Sequence, residues 1–181
     1  MVYVFLANGF EETEAIAPID MLRRAKLDVK TVGIGGVEVT SSHGIPMKAD
    51  ITDKEIELTD KLEMIVLPGG GLGTENLDRS PEVQSAVDFC VKSKIPMGAI
   101  CAAPSIFGKK GFLKGLKATA FPDYRKYLDG AEIAEQNVIT DGLFTTAAGA
   151  GVSVDFGLEL VKVLKGQQLS DEIRNTIQCS K

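Results

Sequence analysis

The sequence lacks dense positive charge and long apolar segments, and each absence excludes a class of protein. Its 181 residues include 20 Lys and Arg against 25 Asp and Glu, which gives a net charge of -5. Phosphate binding needs clustered basic residues, so we expect no nucleic-acid partner. The apolar start, Val2 to Ala7, is too short for a signal-peptide core or a membrane span, and no basic segment precedes it. We therefore expect no membrane partner either.

Cysteine is also scarce. The three cysteines, Cys90, Cys101 and Cys179, form no C-x-x-C pair and are odd in number. This pattern is typical of a reduced, cytoplasmic protein in which reactivity belongs to individual thiols. Cys90 falls on the apolar stripe of a predicted helix, where core packing is its expected role. Cys101 is therefore the candidate for thiol chemistry.

Short apolar segments alternate with helical patterns along the chain. Buried strands are predicted at Val2 to Ala7, Asp28 to Ile34, Met64 to Leu67 and Ile95 to Ile100, and shorter strands at Val37 to Thr40, Pro46 to Ala49, Lys117 to Phe121, Asn137 to Ile139 and Phe144 to Thr146. Helices are predicted at Glu12 to Ala25, Ser80 to Lys92, just after Cys101, Gly149 to Leu164 and Leu169 to Ile177. This alternation predicts an α/β fold, with one domain over residues 1–181 and a mostly parallel central sheet covered on both sides.

Cys101 lies where an apolar strand ends and a helix begins. A tight turn at this point would push the sulfur out of the packed layer, and the N–H groups of the helix start would favour the thiolate. The small residues Ala99 and Ala103, two positions to either side, suit such a nucleophile elbow. The alternative is a small hydrophobe in the core, which is how free cysteines often act.

A carboxylate-rich loop, Asn8 to Glu14, is expected near Cys101 because the carboxyl ends of parallel strands meet at one sheet edge. Carboxylates at a helix start are usually caps, and we expect this role for Glu11. A neutral carboxyl beside the thiol would instead donate a hydrogen bond to the thiolate and act as general acid or base.

A glycine-rich loop, Pro68 to Gly73, is expected at the same edge, and its composition predicts that it contains no regular element. Its spacing fits neither a dinucleotide-binding nor a Walker motif. The N–H of Gly70 with that of Ala102 would suit an oxyanion hole, because glycine lets the main chain approach a reacting oxygen. The alternative is a simple tight turn.

His43 is the only histidine, and it lies in a turn, Ser41 to Gly44. A Cys–His pair would have to use it, but a turn histidine is more often a surface residue. No set of His, Cys and carboxylate residues has the spacing of metal ligands, so we expect no metal and no cofactor.

Four stretches of the sequence carry a resemblance to a known family. They are Asn8 to Glu14 with Pro18 to Ala25, Val66 to Gly70 with Asn76-Leu77, Ala99 to Pro104, and Asp141 to Leu143 with Gly149 to Glu159. In these stretches the chain resembles the DJ-1/PfpI (ThiJ) superfamily, most closely its DJ-1-like branch. The resemblance implies a flavodoxin-like three-layer sandwich, usually a homodimer, with a reactive cysteine.

The resemblance also implies roles for individual residues. The last Glu of the Glu-rich run, Glu14, would hydrogen-bond the nucleophilic thiol of Cys101, while Gly70 and Ala102 would donate backbone N–H groups. Members of the family are described as glyoxalases that convert methylglyoxal to lactate without glutathione, as protein deglycases, as oxidation-sensing stress proteins and, in other branches, as proteases.

Two departures from the family pattern argue against proteolysis. Relatives of human DJ-1 carry His-Pro after the strand that follows the elbow, whereas this chain has Phe121-Pro122. The protease-like branch has a histidine directly after its nucleophile, whereas this chain has Ala102. Neither kind of Cys–His dyad is present. Phe121, Gly69 and His43 are candidates for lining the pocket. His43 falls in a region where DJ-1 proteins can have an arginine near the site.

The sequence thus favours a cysteine-dependent enzyme of the glyoxalase or deglycase type, which acts on methylglyoxal or related small reactive carbonyls. Cys101 would be the nucleophile and Glu14 the proton shuttle. The alternative is an oxidation-sensing stress-response or chaperone-like protein, in which Cys101 is oxidised to a sulfinate without true turnover. A cofactor-binding module of the flavodoxin type is a weaker third hypothesis. The two leading hypotheses use the same residues, so the sequence does not separate them.

Overall fold

A central sheet of seven strands runs through the computed structural model, which describes residues 1–179. The strands in chain order are β1 (Val2–Leu6), β2 (Val29–Gly33), β3 (Glu38–Thr40), β4 (Pro46–Lys48), β5 (Ile51–Thr52), β6 (Met64–Leu67), β7 (Met97–Ile100), β8 (Lys117–Ala118), β9 (Glu132–Ile133), β10 (Val138–Asp141) and β11 (Phe144–Ala147). The sheet order is β10-β11-β7-β6-β1-β2-β5, and every pairing in it is parallel except β10 with β11. Two small ribbons, β3-β4 and β8-β9, lie outside the sheet.

Helices follow most of the sheet strands. They are α1 (Glu12–Arg24), α2 (Gly71–Arg79), α3 (Pro81–Ser93), α4 (Pro104–Lys109), α5 (Ser153–Lys165) and α6 (Gln167–Thr176), with 3₁₀ segments at Asp53–Glu55, Pro122–Tyr127 and Ala150–Val152. This arrangement confirms the predicted α/β fold with a mostly parallel sheet. Within residues 1–179, no helix combines the length and the apolar character needed to span a bilayer.

The apolar strands are buried on both faces, which explains why they read as unbroken apolar runs. Alternate side chains of β1 enter two different cores: Val2, Val4 and Leu6 on one face, and Tyr3, Phe5 and Ala7 on the other. Helices α1, α5 and α6 cover the first face, and α2, α3 and α4 cover the second. Cys90 of α3 is fully buried in the second core, as the sequence predicts.

The glycine-rich loop ends earlier than the sequence predicts. Helix α2 begins at Gly71, so the prediction that no regular element lies within Pro68 to Gly73 is wrong. A Cβ at Gly73 would lie 2.6 Å from the backbone of Phe10, so this glycine serves close packing inside a helix. Gly70 is the position that needs glycine for its backbone, because its φ is +86°.

Two further elements differ from their predicted bounds. The helix predicted from Gly149 begins with the 3₁₀ segment Ala150–Val152, and α5 itself starts at Ser153. The strand predicted up to Phe121 stops at Ala118, and the N–H of Phe121 donates instead to the carbonyl of Cys101 at 2.8 Å. Both segments are shaped by contacts with the loops around Cys101, which local patterns in the sequence do not report.

Helices α1 and α5 pack closely against each other at Gly157. A Cβ there would lie 2.8 Å from the Cα of Pro18 in α1. We expect Gly157→Ala to lower the free energy of unfolding by about 1–3 kcal/mol, because overpacking outweighs the helix preference of alanine. Urea denaturation measures this effect.

The control is Gly36→Ala, where an added Cβ would meet nothing within 4 Å. We expect this variant to change the stability by less than about 0.5 kcal/mol. Equal stability of the two variants would show that α1 and α5 can move apart without lowering the free energy of unfolding.

Candidate active site

Cys101 forms the turn between β7 and α4. Its φ is 64°, a left-handed conformation that a non-glycine residue adopts only when its surroundings hold it there. Its N–H donates to the carbonyl of Ala147 at 2.9 Å, and its own carbonyl accepts from Phe121 at 2.8 Å. The side chain is half-buried, whereas that of Cys90 is fully buried. The geometry is that of a nucleophile elbow.

Glu14 contacts Cys101 from the first turn of α1. Glu14 is 1% exposed, and its Oε2 accepts a hydrogen bond from the N–H of Gly69 at 3.0 Å. The Cys101 thiol and the N–H of Ala150 also lie near enough to the carboxyl to lower its pKa. A Cβ at Gly69 would lie 2.6 Å from the Cβ of Cys101 and would also clash with Oε2 of Glu14, so glycine is what allows the two side chains to meet.

Two backbone N–H groups, those of Gly70 and Ala102, lie near enough to the sulfur of Cys101 to lower the pKa of its thiol. They come from different loops, one after β6 and the other after β7. A Cβ at Gly70 would lie 2.8 Å from the backbone nitrogen of Glu11, so only glycine fits between the loops. Paired donors of this kind stabilise negative charge at one point in space.

Glu14 is a weaker acid than an ordinary glutamic acid. Burial raises its pKa from 4.5 to about 7, and the charge of Glu11 acts in the same direction. The hydrogen bonds from Cys101, Gly69 and Ala150 oppose this rise. The carboxyl is therefore close to half-protonated at neutral pH.

The thiol of Cys101 is also a weaker acid than the sequence predicts. Burial raises its pKa to about 12, and the charge of Glu14 and the hydrogen bond to Glu14 add to this rise, while the N–H groups of Gly70 and Ala102 lower the pKa. The prediction of an acidic thiol, based on the helix start alone, is wrong, because burial raises the thiol pKa by more than the two N–H groups lower it. Two of the three causes that raise the thiol pKa need an ionised Glu14 and disappear when Glu14 holds a proton.

A cavity of about 480 Å³ opens onto the pair. It is lined by Glu14, Cys101, Phe121, Pro122, Asn137, Ala148, Gly149, Ala150, Gly151 and Val152. Phe121 lies at its mouth and is 44% exposed. Residues 148–152, which line one side of the cavity, were not predicted from the sequence. A run of small residues directly after an apolar strand was the available signal.

His43 lies outside this cavity. Its side chain is 71% exposed, and its Nδ1 is 2.9 Å from Oε1 of Glu12. Glu11, Glu12 and His43 place ligand-type atoms within 4.8 Å of one another, a grouping that sequence spacing did not reveal because the histidine comes from a distant turn. Glu11 caps α1 by accepting from the N–H of Glu14 at 2.7 Å, and Glu12 pairs with His43, which accounts for their proximity.

The buried Glu14 should reduce the stability of the protein at neutral pH. Between pH 4.5 and about 7 the unfolded chain ionises this carboxyl while the folded chain keeps its proton, so stability falls as the pH rises and is constant above that range. The shift corresponds to about 3 kcal/mol. We expect Glu14→Gln to raise the free energy of unfolding by up to that amount at pH 8 and by much less at pH 5.

Urea denaturation at the two pH values measures this difference, with Glu75→Gln, an exposed position on α2, as the matched control. A gain of equal size at both pH values would show that ionisation of Glu14 is not its cause.

Comparisons with known proteins place the chain in a family. Residues 1–163 match the DJ-1/PfpI family. The sequence is 38% identical over 169 residues to "Protein DJ-1 homolog B" of Arabidopsis thaliana, with 92% of this chain but only 38% of that protein covered, so the chain spans less than half of this relative. It is 32% identical over 177 residues to "Glutathione-independent glyoxalase DJ-1" of Schizosaccharomyces pombe, with 89% of each covered.

Solved structures agree with the sequence comparisons. A mutant of a DJ-1 superfamily protein from Salmonella typhimurium superposes with a TM-score of 0.93 at 33% identity, covering 99% of this chain and 98% of that one. The family match, the relatives and the shared fold lead to one conclusion: this chain belongs to the DJ-1/PfpI family.

Proposed function

We propose that the protein is a glutathione-independent glyoxalase, which converts small 2-oxoaldehydes such as methylglyoxal to 2-hydroxy acids. The observation that carries the proposal is the contact between a buried, half-protonated Glu14 and the thiol of Cys101 at the base of a cavity. A relative with 32% identity bears the name of this activity. The same attack would extend to early adducts of these aldehydes, which is the deglycase form of the chemistry.

The reactive state of the pair holds one negative charge and one proton. With the proton on Glu14, the charge lies on the sulfur, where the N–H groups of Gly70 and Ala102 stabilise it. With the proton on sulfur, the charge lies on the Glu14 carboxylate, and the pKa values of about 7 for Glu14 and about 12 for Cys101 make this the more populated arrangement. Transfer of the proton from sulfur to Glu14 would generate the nucleophile without a histidine.

The first step forms a bond between sulfur and the aldehyde carbon. The thiolate of Cys101 attacks this carbon, and Glu14 gives its proton to the aldehyde oxygen, which yields a hemithioacetal and a Glu14 carboxylate. Gly70 and Ala102 are placed to donate to the developing oxyanion after the sulfur charge is consumed.

The remaining steps move one hydrogen between neighbouring carbons. Glu14 removes the proton from the former aldehyde carbon and returns it to the ketone carbon, while the hydroxyl proton passes to the ketone oxygen. One carbon is oxidised and its neighbour is reduced, so no external oxidant is needed. The resulting thioester is hydrolysed by water, with Glu14 as general base, which releases the 2-hydroxy acid and restores the pair.

Two further expectations stay predictions. They are assembly into a homodimer, which the resemblance implies, and a cytoplasmic location, which the cysteine pattern indicates. The exposed apolar side chains of Ile16 in α1 and Ile45 between β3 and β4, which are 50% and 49% exposed, are surfaces that a second copy would cover.

Lactate formation from methylglyoxal tests the proposal. We expect Cys101→Ser and Glu14→Gln each to lower kcat/KM by at least about a hundredfold, because one removes the nucleophile and the other the proton carrier. Cys90→Ala is the control and should retain activity, since that thiol is buried in the core. Full activity of Cys101→Ser would exclude the mechanism.

The pH dependence of Cys101 alkylation tests the shared proton. We expect the rate with iodoacetamide to rise in a first step near pH 7, because the pair loses its first proton where the pKa of Glu14 lies, at about 7. In Glu14→Gln this step should move to higher pH, since the buried thiol then has no neighbouring group that exchanges a proton with it. A wild-type midpoint near ~8.5, the value of a free thiol, would contradict the proposal. A step near pH 7 without lactate formation would favour an oxidation sensor instead.

A further inference from the structure

Phe121 is a large apolar side chain left partly exposed beside reactive groups. The hydrogen bond from its N–H to the carbonyl of Cys101 at 2.8 Å fixes its backbone to the elbow. Its Cδ2 lies 3.7 Å from the place where a Cβ on Gly149 would stand, and Oε1 of Glu14 lies 4.0 Å from that same place. The aromatic ring and the carboxyl thus both lie within van der Waals reach of one point beside Gly149.

The cavity around this ring offers little to a charged substrate. Among the described residues that line it, Glu14 and Cys101 are the ionisable ones, and no lysine, arginine or histidine is present. The amide of Asn137 is the other polar side chain, and the remaining lining is Phe, Pro, Val, Ala and Gly. A substrate carboxylate or phosphate would find no cation there and would meet the negative charge of the catalytic pair.

The cavity is also larger than methylglyoxal requires. Its volume of about 480 Å³ lies in the range of pockets that enclose whole small molecules, whereas methylglyoxal has only a methyl group beyond its two carbonyls. Phe121 is a partly exposed member of the same lining as Cys101, so a ketone substituent that reaches it would lie against an aromatic ring. An aromatic substituent there would pack against the ring and remove apolar surface from water.

We infer that the site prefers 2-oxoaldehydes whose ketone carries an uncharged aromatic or branched aliphatic group over methylglyoxal, and that Phe121 sets this preference. The inference rests on the proposed function for its chemistry, but the selectivity belongs to the cavity itself. Phe121 acts here as a specificity residue, since it contacts the substituent and takes no part in proton transfer.

Paired kinetics test the preference. For the wild type we expect kcat/KM for phenylglyoxal, measured as mandelate, to exceed that for methylglyoxal, measured as lactate, by at least tenfold. Phe121→Ala should lower the ratio of the two values at least tenfold through a higher KM for phenylglyoxal, and Phe121→Leu should lie between. Circular dichroism spectra and urea denaturation curves that match those of the wild type show that both variants are folded.

Tyr127→Ala is the matched control. Tyr127 is an exposed aromatic residue at the end of the 3₁₀ segment Pro122–Tyr127, which directly follows Phe121, but it does not line the cavity. Its loss should therefore leave the ratio of the two kcat/KM values unchanged. Equal kcat/KM for the two substrates in the wild type, or an unchanged ratio in Phe121→Ala, overturns the inference while the proposed function stands.

A binding measurement separates the inference from the proposed function. Acetophenone has the aromatic ketone but no aldehyde, so it should slow iodoacetamide alkylation of Cys101 in the wild type much more than acetone does, and the difference should disappear in Phe121→Ala. Protection of this kind without turnover of either oxoaldehyde would support the cavity preference and exclude the glyoxalase. No difference in protection between acetophenone and acetone would overturn the preference.

Discussion

The contact between Glu14 and Cys101 across Gly69 is the constraint on which the site depends. The two side chains come from the ends of different β–α units, and they meet only because Gly69 has no side chain to hold them apart. Gly70 extends the same requirement, since its backbone passes between the α1 loop and the sulfur of Cys101. A side chain at either glycine would clash with these neighbours, so the proposed chemistry requires both glycines.

The site holds two features that a purely structural sequence would avoid. A carboxyl is buried where its charge is poorly solvated, and a cysteine adopts a left-handed backbone. Both are held in place by backbone hydrogen bonds from other segments: the N–H of Gly69 after β6 donates to Glu14, and Cys101 bonds to Ala147 of β11 and to Phe121 after β8. The stability of the surrounding sheet thus offsets the cost of the buried carboxyl of Glu14 and the left-handed backbone of Cys101, as is usual where function and stability compete.

Phe121 shows how one substitution against the family pattern changes a site without changing the fold. The resemblance noted from the sequence implies a histidine at this place in relatives of human DJ-1, and the N–H of Phe121 donates to the carbonyl of Cys101. The cavity here has an apolar ring in its lining. In the proposed mechanism the acid–base chemistry is left to Glu14 alone.

Much of this architecture could be predicted from the sequence, because the signals are local. Fully apolar strands such as Val2–Leu6 follow from burial on both faces, and the order of strands and helices determines an α/β sheet whose strand ends share one edge. The start of α2 at Gly71, the 3₁₀ segment Ala150–Val152 and the meeting of Glu11, Glu12 and His43 were not predictable, since they depend on contacts between distant segments.

The sequence by itself determined that Cys101 follows a buried strand, that a run of carboxylates begins the first helix and that no histidine is placed to form a family-type dyad. Only the tertiary structure decided how acidic these groups are. The thiol pKa rises to about 12 and the Glu14 pKa to about 7 because burial and mutual charge act through space, across loops that the sequence keeps far apart.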